Sequence, residues 1–238
     1  MLGGRMARVG RRSTTTLLWL GCLAPLAVLG WDATHGGLGA NPITEATHRT
    51  GRWALILLLV TLAFTPVRRL TGWNGAIRWR RTVGLFAFFY AALHFAIYVV
   101  LDYFFDWALI VEDIAERPYV TVGFTAFLLL VPLAATSNRF SIRRLGKRWQ
   151  RLHRLVYIAT ALAVLHFLWL VKAPDIGRPL RYGAVLALLL AVRVPALSKR
   201  LPAVKRGLAA VAARVHGRCE RTASSRPDAS RAGDRRSG

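Results

Sequence analysis

Apolar stretches close to the length of a bilayer alternate along this chain with short arginine-rich segments, and no other feature restricts the possible folds as much. Bounded by charged residues, uncharged stretches run from Ser13 to Trp31 (19 residues), Trp53 to Val67 (15), Thr82 to Leu101 (20), Pro118 to Asn138 (21) and Leu155 to Val171 (17). A sixth, Tyr182 to Val192, holds 11 residues and lengthens if Arg193 snorkels, so that Leu180, Val194, Ala196 and Leu197 join it. A helix needs about 20 apolar residues to cross the hydrocarbon, with roughly 17 to 25 as the working range. The expectation is an all-α, polytopic membrane helix bundle of about six transmembrane helices.

Composition matters here because it contradicts itself. The net charge is +23, with 34 Lys and Arg against 11 Asp and Glu, which in a soluble chain points to nucleic acid; yet 54% of residues are hydrophobic. Partition by span resolves the conflict. The amino terminus, the second-to-third and fourth-to-fifth connections and the segment from Arg193 onward hold 28 basic and three acidic residues; the opposite side holds six basic and eight acidic. Basic residues stay on the cytoplasmic side, so an even number of spans puts both termini in the cytoplasm. The charge marks topology and lipid contact, and nucleic acid is excluded as a partner.

Residues 1–12 form a basic amino terminus, 13–197 the membrane domain, and 198–238 a basic, largely disordered cytoplasmic tail with too little apolar material to fold. Leu201 to Val215 suits either a basic amphipathic helix on the inner leaflet or a plainly solvated tail. Arg11 and Arg12 precede the first span as in an export signal, but Cys22 lies inside the apolar run, so an uncleaved anchor is expected. There is no repeat of solenoid period and no nucleotide-binding glycine motif. The chain has two cysteines and no CxxCH, which excludes covalent haem attachment, and membrane separates Cys22 from Cys219.

Six histidines are present. His35, His48 and His216 are assigned to loops or tail, as ordinary polar residues. His94 lies midway along the third span, His166 near the end of the fifth, and His153 at the fifth span's cytoplasmic mouth. An ionisable side chain inside a span is costly and marks a functional site unless a neighbouring helix simply hydrogen-bonds it. Counted from the entry arginines Arg81, Arg151 and Arg154, His94 and His166 both lie roughly 18 to 22 Å deep. Two neutral imidazoles at one level on neighbouring helices suit the axial pair of a b-type haem held in a bundle. Ala91 and Ala87, and Ala163 and Ala159, trim the same face three and seven residues before each histidine, as a porphyrin requires.

His153 precedes His166 by 13 residues, which turns it to a different side of an ideal helix by about 220°. The third span offers only Arg80, Arg81 and Thr82 at its level, so a second bis-histidine haem is not expected. His153 suits a haem with one weak ligand, a flavin or quinone near Arg80 and Arg81, or an ordinary interfacial role. Arg68, Arg80, Arg81 and Arg154 serve either anionic cofactor groups or topology alone.

The run RRTVGLFAFFYAALH from Arg80 to His94, ERPYVTVG from Glu116 to Gly123, PLAATS from Pro132 to Ser137, RLGKRWQRLHRLVY from Arg144 to Tyr157, and LHFLW from Leu165 to Trp169 resemble a known family. They are similar to the MsrQ family, the haem-binding membrane subunits of the bacterial periplasmic methionine-sulfoxide reductase system, among the ferric reductase-like transmembrane domains. The likeness covers roughly residues 50 to 195. It implies haem b, FMN, and electrons drawn from the quinone pool, or from a cytosolic flavin reductase. The acceptor it implies is a separate periplasmic molybdopterin reductase that repairs methionine sulfoxide in envelope proteins. His94, His153 and His166 fall on the family's histidines; related oxidases carry one more, and its absence here bears on a second haem. The outer segment Glu112 to Glu116 and the loop with His48 are candidate docking sites for the periplasmic enzyme. The alternatives are a quinone-linked cytochrome b or ferric reductase serving another acceptor, and a non-redox membrane protein whose histidines move protons or bind a metal.

Overall fold

The computed structural model describes residues 3–71, 75–171 and 175–193. By its contacts the chain divides after Leu189, and the first unit holds α1 to α8 and most of α9. Nine α-helices follow one another and no strand occurs among the described residues: α1 (Gly3–Thr34), α2 (Pro42–Thr71), α3 (Gly75–Ile97), α4 (Trp107–Glu116), α5 (Pro118–Ala135), α6 (Arg139–Leu145), α7 (Lys147–Leu152), α8 (Leu155–Leu170) and α9 (Gly177–Ala191). Among the described residues, five segments are long and apolar enough to cross a membrane: Thr14–Thr34, Pro42–Arg69, Arg78–Asp102, Pro118–Ala135 and Lys147–Leu170. The chain is a helical bundle integral to the membrane. α9 has 15 residues and is not among the five. The extension of a sixth span beyond Arg193, and the tail 198–238, lie outside the described residues.

The second span departs most from the sequence expectation. α2 begins at Pro42 rather than near Trp53, taking Glu45, His48, Arg49 and Arg52 into the helix. The charge at Arg49 does not end the helix because it is neutralised. Arg49 donates to Glu45 one turn before it (2.7 Å) and to Asp32 at the end of α1. His48 is therefore an exposed helical residue and not part of a loop.

α2 packs most extensively on α3, and α5 on α8; lesser α3–α5 and α2–α8 contacts join the two pairs. Leu55, Leu58 and Leu62 of α2 meet a core that includes Val83, Phe86, Ala87 and Tyr90 of α3, all buried. The second pair buries Ala126, Leu130 and Leu133 of α5 and Val156, Ala159 and Thr160 of α8. The buried hydroxyls of Thr50, Thr61 and Thr160 each return a hydrogen bond to the carbonyl four residues earlier, so none of the three is stranded. Leu128, Val131, Ile158 and Leu188 stay exposed, as lipid-facing residues should. α1 is tied on by the Tyr90 hydroxyl, which donates to the Cys22 carbonyl at 2.8 Å.

At one end of the bundle α3 runs into a π-helical turn, Tyr98–Asp102. Phe104 and Phe105 follow with φ of 47° and 63°, a conformation disfavoured for bulky residues, and the Phe105 amide returns to the Val99 carbonyl at 2.9 Å. Asp106 caps α4 by accepting from the amides of Ala108 and Leu109. Asp113 in α4 is buried, receiving the Tyr98 hydroxyl (2.8 Å) and the Arg117 guanidinium (2.9 Å). Burial, and then the hydrogen bond and charge of Asp113, push the Tyr103 phenol pKa up. Within the acidic segment Glu112 to Glu116, Asp113 is thus occupied internally, and Glu112 and Glu116 are the exposed carboxylates.

Candidate functional site

His94 on α3 and His166 on α8 come together inside the bundle. Their ring centroids are 6.2 Å apart, with the ring planes at 75°. Each ring is oriented by a backbone carbonyl on the helix paired with its own. His94 Nδ1 is 2.8 Å from the Thr47 carbonyl of α2, and His166 Nδ1 is 2.6 Å from the Tyr119 carbonyl of α5. A carbonyl only accepts, so each Nδ1 must carry the proton and donate it. That tautomer leaves Nε2 of both rings with a free lone pair, the arrangement of a metal-ligating histidine held by its other nitrogen.

The spacing tests the fit of a metal between the rings. With metal–nitrogen distances of about 2.0–2.1 Å, two imidazoles on opposite sides of one ion have centroids roughly 6.3 Å apart. The observed 6.2 Å agrees. Among the described residues no three His, Cys, Asp or Glu side chains gather to hold an ion. A group that supplies its own equatorial ligands therefore suits the pair better than a bare ion. Ala87 and Ala159, each seven residues before a histidine, are fully buried.

Two glycines complete the arrangement, and nothing in the reading of the sequence singled them out. A Cβ on Gly51 would lie 3.0 Å from His94 Cε1 and Nδ1, and one on Gly123 would lie 2.6 Å from His166 Nδ1. The rings occupy the space that side chains would fill. The signal for them is a repeat with a period of 72 residues, far longer than a solenoid's. Thr47, Gly51, Ala87, Ala91 and His94 recur as Tyr119, Gly123, Ala159, Ala163 and His166, and both halves read Ala-x-Leu-His-Phe around the histidine.

His153 lies elsewhere, between α7 and α8. It stacks on Trp149 (centroids 3.9 Å, 27°), with Nδ1 3.2 Å from the Trp149 carbonyl and Nε2 3.4 Å from the Ser137 hydroxyl. The two neighbouring arginines separate. Arg80 is half-buried within electrostatic reach of His153, whereas Arg81 is exposed and lines a cleft between α1 and α3 with Trp19, Arg78 and Phe89. His35 stacks on Trp31 at the end of α1 and belongs to no site.

Known proteins resemble the chain over most of its length. Residues 50–164 match the family described as ferric reductase like transmembrane component, a stretch that ends two residues before His166. The chain is 52% identical over 202 residues to the protein-methionine-sulfoxide reductase heme-binding subunit MsrQ of Rhodospirillum rubrum, covering 84% of this chain and 97% of that one. Proteins of the same name from Xanthomonas axonopodis pv. citri and Xanthomonas campestris pv. campestris are 53% identical over 185 residues and 55% over 178, covering 75% and 72% of this chain and 84% and 81% of theirs. No solved structure matches the chain. On the strength of this identity, extending over nearly the whole length of its relatives, the chain belongs to the MsrQ family of ferric reductase-like membrane proteins.

Proposed function

We propose that this protein is the transmembrane electron-transfer subunit of a two-component reductase, with one b-type haem held by His94 and His166. The observation that carries the reading is the pair of imidazoles with centroids 6.2 Å apart, each fixed by a carbonyl in the tautomer that frees Nε2. The relatives' printed names, which say heme-binding and methionine-sulfoxide reductase, support it. Haem supplies reversible one-electron exchange at its iron. The chain's own part is to ligate from both sides and hold the ring planes. The small residues before each histidine leave room, and the surrounding apolar helices exclude water.

Electrons enter on the cytoplasmic half from quinones and leave to a periplasmic molybdopterin reductase that repairs oxidised methionine in envelope proteins. The arginine-rich connections support the orientation, with both termini in the cytoplasm of the bacterial inner membrane, residues 13–197 as the haem domain and 198–238 as a basic tail. His153 with Arg80 is the favoured place for FMN or a quinone head group, since Arg80 offers the charge and His153 a hydrogen bond; Arg81 is the alternative contact from its own cleft. The test is a dithionite-reduced minus oxidised spectrum of the purified chain. A b-type band that is lost in both His94→Ala and His166→Ala is the expected result. Lack of any haem band in the unaltered chain, or its persistence in both variants, overturns the reading. Methionine-sulfoxide reduction with and without the periplasmic enzyme then tests the acceptor.

A further inference from the structure

We propose that Gly51 and Gly123 are positioning residues that set the planes and the donor strength of the two axial imidazoles. The proposal rests on the haem reading above and extends it to the residues behind the ligands. In an α-helix the carbonyl of one residue accepts the amide four residues later, and the side chain of that later residue leans back over the turn that contains the carbonyl. A side chain at position 51 or 123 would thus screen the carbonyl of Thr47 or Tyr119. With glycine there, the carbonyl stays open from the side and an imidazole from the neighbouring helix reaches it; the Thr47 carbonyl accepts the Thr50 hydroxyl (3.0 Å) as well.

The distances show how little room remains. The hypothetical Cβ positions fall 3.0 Å from the His94 ring and 2.6 Å from the His166 ring. Other helical glycines are not under such pressure: a Cβ on Gly84 of α3 would meet Thr61 Cγ2 at 3.6 Å, and one on Gly183 of α9 would meet Val164 Cγ1 at 3.6 Å, both ordinary contacts. The same device therefore appears once under each histidine, at equivalent positions of the two halves. A methyl group at either site pushes the ring off its carbonyl. The push rotates the imidazole plane and removes a hydrogen bond that makes the ligand more basic and so favours the oxidised iron.

The experiment uses the full-length chain, purified in detergent with its haem, as Gly51→Ala, Gly123→Ala and, for comparison, Gly84→Ala. The readouts are haem per protein, the low-spin ferric EPR signal and a redox titration. The anisotropy of that EPR signal follows the angle between the two axial ring planes. In Gly51→Ala and Gly123→Ala the signal is expected to change, and the reduced-to-oxidised ratio at a fixed ambient potential to rise about threefold to tenfold, the range that one hydrogen bond supports. Gly84→Ala is expected to match the unaltered chain in both. Loaded Gly51→Ala and Gly123→Ala proteins with unchanged signal and potential overturn the proposal, while the haem reading survives if His94→Ala and His166→Ala still lose the band. If either glycine variant fails to load, the unaltered chain decides. Ring planes at 75° require the highly anisotropic signal of near-perpendicular ligands, and the signal of near-parallel rings overturns the proposal. A chain without haem overturns both readings.

Discussion

The α2–α3 and α5–α8 pairs are near-copies at one level of the membrane and unlike at the other. Around the histidines they agree residue for residue: a carbonyl acceptor, a glycine four later, a buried alanine and the histidine itself, at positions that differ by 72 throughout. The same offset places His153 of the second half opposite Arg81 of the first. Two histidines brought side by side form a pair. One histidine opposite an arginine does not, and in the folded chain the two are also parted, since Arg81 turns to the cleft beside α1 while His153 stacks on Trp149. The comparison teaches that the likeness of the two halves is confined to the surroundings of His94 and His166 and does not extend to the level of His153.

The largest expected effect separates those levels. His94→Ala or His166→Ala should lower haem per protein by at least about tenfold, as expected for loss of a direct ligand whose supporting contacts alone are worth 10- to 100-fold. His153→Ala should leave the haem content within about twofold, because its partners are Trp149 and Ser137. Pyridine haemochrome assays on the three variants decide. Equal loss in all three would erase the distinction between the levels.

A second, smaller effect concerns what each half carries at its flank. Asp113→Asn removes the charge that holds Arg117 and weakens the acceptor for Tyr98; a hydrogen bond to a charged group contributes about 1.5–3 kcal/mol. Denaturant titration in mild detergent should show a loss in that range. Tyr90→Phe, which frees α1 from the first half by removing the hydroxyl bond to the Cys22 carbonyl, should cost about 1 kcal/mol in the same measurement. Thr47→Val and Tyr119→Phe should move neither haem content nor potential measurably, because each ring is bound by the main chain and not by the side chain.

Much of this was legible in the sequence where the signal is local. Apolar length places α5 and α8 to within three residues at either end, whereas α3 begins at Gly75, well before the expected Thr82, and ends at Ile97; counting from the entry arginines brings His94 and His166 to one depth. The misreadings come from the same ruler. A span bounded by charged residues misses the first turns of α2, where Arg49 is cancelled by Glu45 and Asp32, partners that meet it only in the folded helices. His48 went with them. Arg80 and Arg81 read as one site because they are adjacent, but successive helical residues point about 100° apart. Gly51 and Gly123 were invisible for a different reason: a glycine in an apolar helix has many uses, and only the ring lying against it says which applies.

The Thr47 and Tyr119 carbonyls have a consequence for how this site endures change. An acceptor built from peptide oxygen has no codon of its own, so substitution at those two positions cannot delete it, and a threonine in one half does the work of a tyrosine in the other. A mutational scan will pass over the groups that aim both ligands and stop at the bare glycines one turn away.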